Sequence, residues 1–180
     1  MNFSFLNKQP TLIETSTIGL PHYFKSYKLS DGSLVNVKLF DTVGQEKYKS
    51  IGNKYYNDAD CCLLVYSIDD KKSFEEIKSY YLKKIRDKCK KHIKVILLGN
   101  KTDLDKKREI STKEGNDLAL KNGFIFMETS CLLNLNVAGA FETLIENTNI
   151  EIQKLKEEKD TLELKNTKTP KVGGKCICEK

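Results

Sequence analysis

No stretch of this sequence is apolar for long enough to cross a bilayer: the longest run, Cys61 to Tyr66, is strand-sized, against the roughly 20 residues that a spanning helix requires. A secretory h-region is absent, and none of the six cysteines, Cys61, Cys62, Cys89, Cys131, Cys176 and Cys178, is spaced with histidine as a zinc site needs. A disulfide framework is therefore set aside, and free thiols in a reducing, cytosolic setting are expected. Blocks of one charge are missing as well. Lys and Arg outnumber Asp and Glu by 31 to 25, a net charge of +6, but the signs are interspersed. That describes a solvated surface and excludes nucleic acid as the expected partner. There are no internal repeats, and 180 residues suffice for one α/β domain and a tail.

What the chain does contain is alternation of two kinds. Val35, Val37 and Leu39 alternate with Asn36, Lys38 and Phe40, and Asp31-Gly32 separates them from Tyr23 to Leu29, which predicts a β-hairpin. Cys61 to Ile68, Ile93 to Leu98 and the shorter Phe124 to Met127 are continuous apolar runs, the pattern of parallel strands covered on both faces. Between them, Phe74, Ile77, Tyr81, Ile85 and Cys89 recur at helical spacing behind a capping box read at Ser73 and Glu76. Ser111 and Glu114 repeat that box, Gly123 stands at a C-cap, and Val137, Phe141, Leu144, Thr148, Ile152 and Leu155 mark a last helix with Asn136 as its cap. The order predicts a doubly wound α/β domain over 1–157, with 158–180 a fraying helix end and flexible tail. In such sheets ligands lie beyond the carboxyl ends of the strands.

Three strand-end segments carry chemistry. In Asp41-Thr42-Val43-Gly44-Gln45-Glu46, Asp41 can reach a magnesium ion through water, Gly44 lets a backbone N–H approach a terminal phosphate, and Gln45 can orient a water. The lesser alternative for the isolated hexapeptide is an ordinary strand-to-helix turn in which Asp caps and Gly bends. In Gly99-Asn100-Lys101-Thr102-Asp103-Leu104, the Asp103 carboxylate can accept from N1–H and the exocyclic amine of guanine, an edge adenine does not offer, while the Lys101 stem lies along the base. The third segment is Glu128-Thr129-Ser130-Cys131-Leu132.

In this order and spacing, DTVGQE, GNKTDL and ETSCL resemble the third, fourth and fifth nucleotide motifs of small GTPases. Lys47 to Ile51, Tyr55-Tyr56, Leu64 to Ile68 and Lys72 to Phe74 are similar to the Rab family within them, over about Phe5 to Glu157. Ser16-Thr17-Ile18-Gly19 resembles the Rab switch I core. The resemblance implies a P-loop NTPase-type fold and a switch that binds GTP/GDP with Mg2+, hydrolyses GTP and regulates vesicular traffic. In it Gln45 positions the water, and Thr17 and Asp41 hold the metal. Gly44, Asn100, Lys101, Asp103, Ser130, Cys131 and Leu132 complete the nucleotide site. Cys176 and Cys178 are similar to the paired cysteines of Rab tails that take geranylgeranyl groups, and with Lys165, Lys168, Lys171 and Lys175 they would give two membrane signals. The partners implied are effectors, an exchange factor, a GAP and Rab escort or GDI-type proteins, read by a monomer that cycles between cytosol and the cytoplasmic face of endomembranes.

The pattern departs from the family in one large respect. No Gly-x-x-x-x-Gly-Lys-Ser/Thr occurs, so the loop that wraps the α and β phosphates is missing and nucleotide affinity is expected to fall steeply. The family's sheet places the corresponding strand centrally, between Phe40 and Cys61, so the expected sheet is a mostly parallel one lacking its first strand and P-loop. An incomplete gene model is the simplest account. The alternative is a nucleotide-free pseudo-GTPase acting as an interaction module. Val43 stands for the usual Ala, and Leu132 for the Lys that flanks the guanine.

Overall fold

The computed structural model describes residues 22–40 and 55–167. The chain divides into two compact units, Met1–Thr148 and Asn149–Lys180.

In the first unit, β1 (His22–Lys28) and β2 (Leu34–Phe40) form an antiparallel hairpin with Tyr23 opposite Leu39 and Lys28 opposite Leu34. Its turn closes because Gly32 adopts φ +87, open to glycine at no steric cost, while the Asp31 carboxylate accepts from the Ser33 backbone N–H at 2.8 Å. Three further strands make a separate parallel sheet in the order β3 (Cys61–Ser67), β4 (Lys94–Asn100), β5 (Ile125–Glu128). Among the described residues no ladder joins β2 to β3.

Burial follows from the apolar runs. On β4, Val95 and Leu97 face a cluster with Leu64, Tyr66, Phe74, Ile77, Ile85, Ile110 and Ala119. Ile96 and Leu98 face the other side, against Ala140 and Leu144. A strand apolar on both faces thus belongs at the centre of the three. The hairpin joins the unit through a third cluster, in which Leu29, Val137, Phe141 and Ile145 gather Tyr27, Val35, Val37, Leu39 and Leu63.

The helix after β3 begins one turn earlier than the Ser73–Glu76 box predicts. Asp70 is its N-cap, accepting from the backbone N–H of Lys72 and Ser73 at 2.9 and 3.4 Å. Ser73 lies inside the helix, its hydroxyl donating to the Asp70 carbonyl at 2.7 Å and accepting from the Ser67 N–H at 3.0 Å. An aspartate three residues ahead presents a charged acceptor to the first free amides of the helix and takes the cap. α1 (Lys71–Glu76) passes through a π-helical turn, Ile77–Tyr81, into α2 (Leu82–Lys88). α3 (Thr112–Asn122) carries the expected capping box in full, with Ser111 and Glu114 exchanging both bonds, and ends at Gly123 with φ +70.

The last helix, α4 (Val137–Thr167), starts after Asn136, whose side-chain amide donates to the Glu128 carbonyl at 3.0 Å. Val137, Phe141, Leu144 and Thr148 are buried. Within the second unit the helix continues to Thr167, with Ile150 and Leu162 exposed. Glu, Lys and Leu dominate this part, and such residues have high helix propensity. No helix among the described residues is long and apolar enough to cross a membrane.

Candidate nucleotide-base site at the carboxyl edge of the sheet

Parallel register sets three strand ends flush. Ser67 pairs with Asn100, and Gly99 pairs with Glu128, so the residues leaving β3, β4 and β5 emerge at one edge of the sheet. Backbone bonds fasten these exits: Ile68 N–H donates to the Asn100 carbonyl at 3.0 Å, Thr129 N–H to Gly99 at 2.8 Å, and Thr102 N–H to Thr129 at 3.1 Å. Thr129 and Ser130 are completely buried at this seam.

The Asn100 amide is oriented by two donors on one oxygen. The Thr129 hydroxyl reaches Oδ1 at 3.2 Å and the Cys131 thiol reaches it at 3.4 Å. With Oδ1 engaged, Nδ2 is the end left to donate to a ligand acceptor such as a purine ring nitrogen. Asp103 is held in the same way, its Oδ1 accepting from the Ser130 hydroxyl, which also accepts from the Leu133 N–H at 3.1 Å. The second carboxylate oxygen remains to accept base N–H groups. These donor and acceptor ends fit the edge of guanine.

Lys101, between these two residues, takes φ +66. Its ammonium lies 3.8 Å from the Asp69 carboxylate, just past β3, with the lysine side chain 52% exposed and the aspartate 19%. Asp69 also accepts from the Ser67 hydroxyl, and this bond first, then the nearby Lys101 charge, holds its carboxyl below the usual range. Leu132 stands apart, 80% exposed on the loop beyond Cys131. That loop is closed by paired backbone bonds between Ser130 and Leu135 at 2.8 and 3.1 Å.

Arg108 braces the two loops from behind. It donates to Glu128 through both terminal nitrogens at 2.6 and 3.3 Å, to Asp105 at 2.7 Å, and to the Ile110 carbonyl at 3.1 Å. The Glu128 bond is the main reason its pKa lies above the ordinary value. Glu128 ends β5, and Asp105 sits in the 3-10 turn Thr102–Lys107 that carries Asp103.

Of the residues singled out in the sequence, Asn100, Lys101, Asp103, Ser130 and Cys131 come together here. Thr17, Asp41, Gly44, Gln45, Cys176 and Cys178 lie outside the described residues, and with them the expected magnesium ligands and the tail beyond Thr167. Among the described residues no group of His, Cys, Asp or Glu is arranged to hold a metal. Sequence reading missed Ser67, Asp69 and Arg108. The first two could have been found by pairing the residues that follow adjacent parallel strands.

A parallel α/β sheet whose strand ends converge two polar loops defines the class of α/β proteins that hold ligands at the carboxyl edge. The sequence model of the Ras family matches residues 1–150. The chain belongs to the Ras family, and its relatives include Rab proteins. Ras-related protein Rab-8A of Bos taurus is 37% identical over 139 residues, 77% of this chain and 66% of the relative. Ras-related protein Rab-11B of Dictyostelium discoideum is 43% identical over 129 residues, 72% and 58% of the two chains. Ras-related protein RABA2a of Arabidopsis thaliana is 38% identical over 141 residues, 78% and 64%. The chain therefore spans just under two thirds of the length of the first of these, Rab-8A, and less of the other two.

Proposed function

We propose that this chain carries the guanine-recognising half of a Rab-type switch, a small GTPase that alternates between GTP and GDP and regulates vesicular membrane traffic. The observation that carries the reading is the pair of oriented side chains at the sheet edge. Asn100 has its oxygen taken by Thr129 and Cys131, and Asp103 has one oxygen taken by Ser130. In this reading Asn100 donates to the purine ring, Asp103 accepts from the N1–H and amine of guanine, and the backbone N–H of Cys131 serves the base carbonyl. A wrong base leaves the carboxylate unpaired, which is the physical source of selectivity.

Thr17 and Asp41 are the residues proposed to hold Mg2+, which would neutralise phosphate charge, and Gln45 the residue proposed to orient the attacking water. Gly44 would bring a backbone N–H to the terminal phosphate. Cys176 and Cys178 are proposed as prenylation sites that tether the protein to the cytoplasmic face of endomembranes. Effectors, exchange factor, GAP and escort or GDI-type proteins would read the switch segments.

The test is nucleotide binding and single-turnover GTP hydrolysis by the 180-residue chain beside a version preceded by a strand and a Gly-x-x-x-x-Gly-Lys-Ser/Thr loop, with magnesium. Tight guanine-selective binding and Gln45-dependent hydrolysis by the extended version support the reading. Failure of both proteins to distinguish guanine from adenine refutes it.

A further inference from the structure

Asp69 reaches the base loops from a different strand, and no nucleotide motif read in the sequence includes it. Its position has two fixed points: the Ser67 hydroxyl donates to its carboxylate, and the Lys101 ammonium stands 3.8 Å away. Ser67 is itself tied to the neighbouring strand end by the register that opposes it to Asn100. Lys101 leaves β4 in the left-handed region, at φ +66, where its backbone direction is fixed and its long side chain is the remaining freedom. Four rotatable carbons on a half-exposed residue would otherwise sample many rotamers.

We propose that Asp69 is a positioning residue for the base platform: by anchoring the Lys101 ammonium on the β3 side of the site, it lays the aliphatic stem of Lys101 along the face of a bound guanine. The proposal rests on the guanine reading above. Asp69 touches no atom of the base in this arrangement; it acts through Lys101.

Two signatures separate this role from a structural one. Contact with the face of a base is tolerant of base identity, whereas edge pairing is not. Asp69→Asn therefore weakens guanine and hypoxanthine nucleotides by the same factor, about two- to fivefold for a pair this exposed. Because the anchor is ionic, that factor shrinks as salt rises and the Debye length falls from about 10 Å toward 3 Å. Asp69→Glu keeps the charge on a longer arm and retains most of the affinity. With Lys101→Met in place, Asp69→Asn has no further effect.

The experiment is a chemical-shift titration with GDP and IDP, at low and high KCl, of the 180-residue chain and of the version preceded by a strand and a Gly-x-x-x-x-Gly-Lys-Ser/Thr loop, each as the unsubstituted protein, Asp69→Asn, Asp69→Glu, Lys101→Met and the Asp69→Asn/Lys101→Met double variant. The expected result is an equal, salt-sensitive loss with both nucleotides, rescued by Glu and absent in the Met background. Unchanged affinity in Asp69→Asn, or a salt-independent loss that Glu does not rescue, overturns the proposal and leaves the guanine reading standing. Absence of any GDP response in both the unsubstituted chain and its loop-extended version overturns the guanine reading and this proposal with it.

Discussion

In the proposed reading, base choice turns on Asp103. One of its oxygens accepts from Ser130, and the account gives the remaining acceptor capacity to two N–H groups of guanine. Charged hydrogen bonds contribute about 1.5–3 kcal/mol each, so Asp103→Ala should lower guanine affinity by about a hundredfold or more and bring the guanine-to-adenine ratio toward one. Competition between GDP and ADP for the variant measures this; a ratio unchanged from the parent contradicts the role. Asn100 and Asp103 were legible in the sequence because Asn-Lys-x-Asp is contiguous and chemically distinctive. Asp69 was not, because it is separated from Lys101 by a helix and a strand, and only the Ser67–Asn100 register brings them together.

Elements hold these residues in place, and local signals read better than distant ones. The Ser111–Glu114 box and Gly123 were legible since cap and capped amides lie within four residues. The box at Ser73 misread a helix whose cap, Asp70, lies one turn upstream; the serine instead bonds back to Asp70 and Ser67. Asp70→Ala should cost about 1 kcal/mol of stability, read as a shift in urea midpoint; no shift would mean that the cap contributes nothing. Arg108 joins the 3-10 turn to the end of β5 with both residues of its Glu128 pair about four-fifths buried. Replacing it with Met leaves Glu128 with Thr112, at 3.1 Å, as its remaining described side-chain partner. A loss of about 1–2 kcal/mol is expected, together with weaker guanine binding as the two loops separate. Gly115 is required by packing: a Cβ there would meet the Tyr66 hydroxyl and come within 2.6 Å of the Phe126 ring. Gly115→Ala should therefore destabilise by about 1–3 kcal/mol despite better helix propensity, as thermal denaturation would register.

At the scale of the molecule, the apolar runs foretold a parallel sheet with helices around it, and the structure has β3, β4 and β5 in that arrangement. The hairpin forms a sheet of its own and meets the rest through side chains such as Leu29, Val37, Leu63 and Phe141. The four described cysteines, Cys61, Cys62, Cys89 and Cys131, are free thiols. Burial pushes the Cys62 thiol up to about 12, and Cys61 and Cys89 also lie above their ordinary value. Tyr66 is raised to about 12, again chiefly by burial. Between about pH 9 and 12 the unfolded chain therefore releases protons that the native state keeps, so stability falls as pH rises through that window. Urea midpoints at pH 8 and about 10 should show the decline, and Cys62→Ala should flatten part of it; a midpoint that rises over this range would contradict the assignment.

The central claim is that the paired loops at the sheet edge recognise guanine. The most direct measurement is a chemical-shift titration of the 180-residue chain with GDP and, separately, ADP, following the amides of Asn100 to Asp103 and Ser130 to Leu132. The account predicts weak, saturable shifts confined to these two loops with GDP, much smaller ones with ADP, and loss of the difference in Asp103→Ala. Equal responses to both nucleotides, or responses elsewhere on the protein, would contradict it.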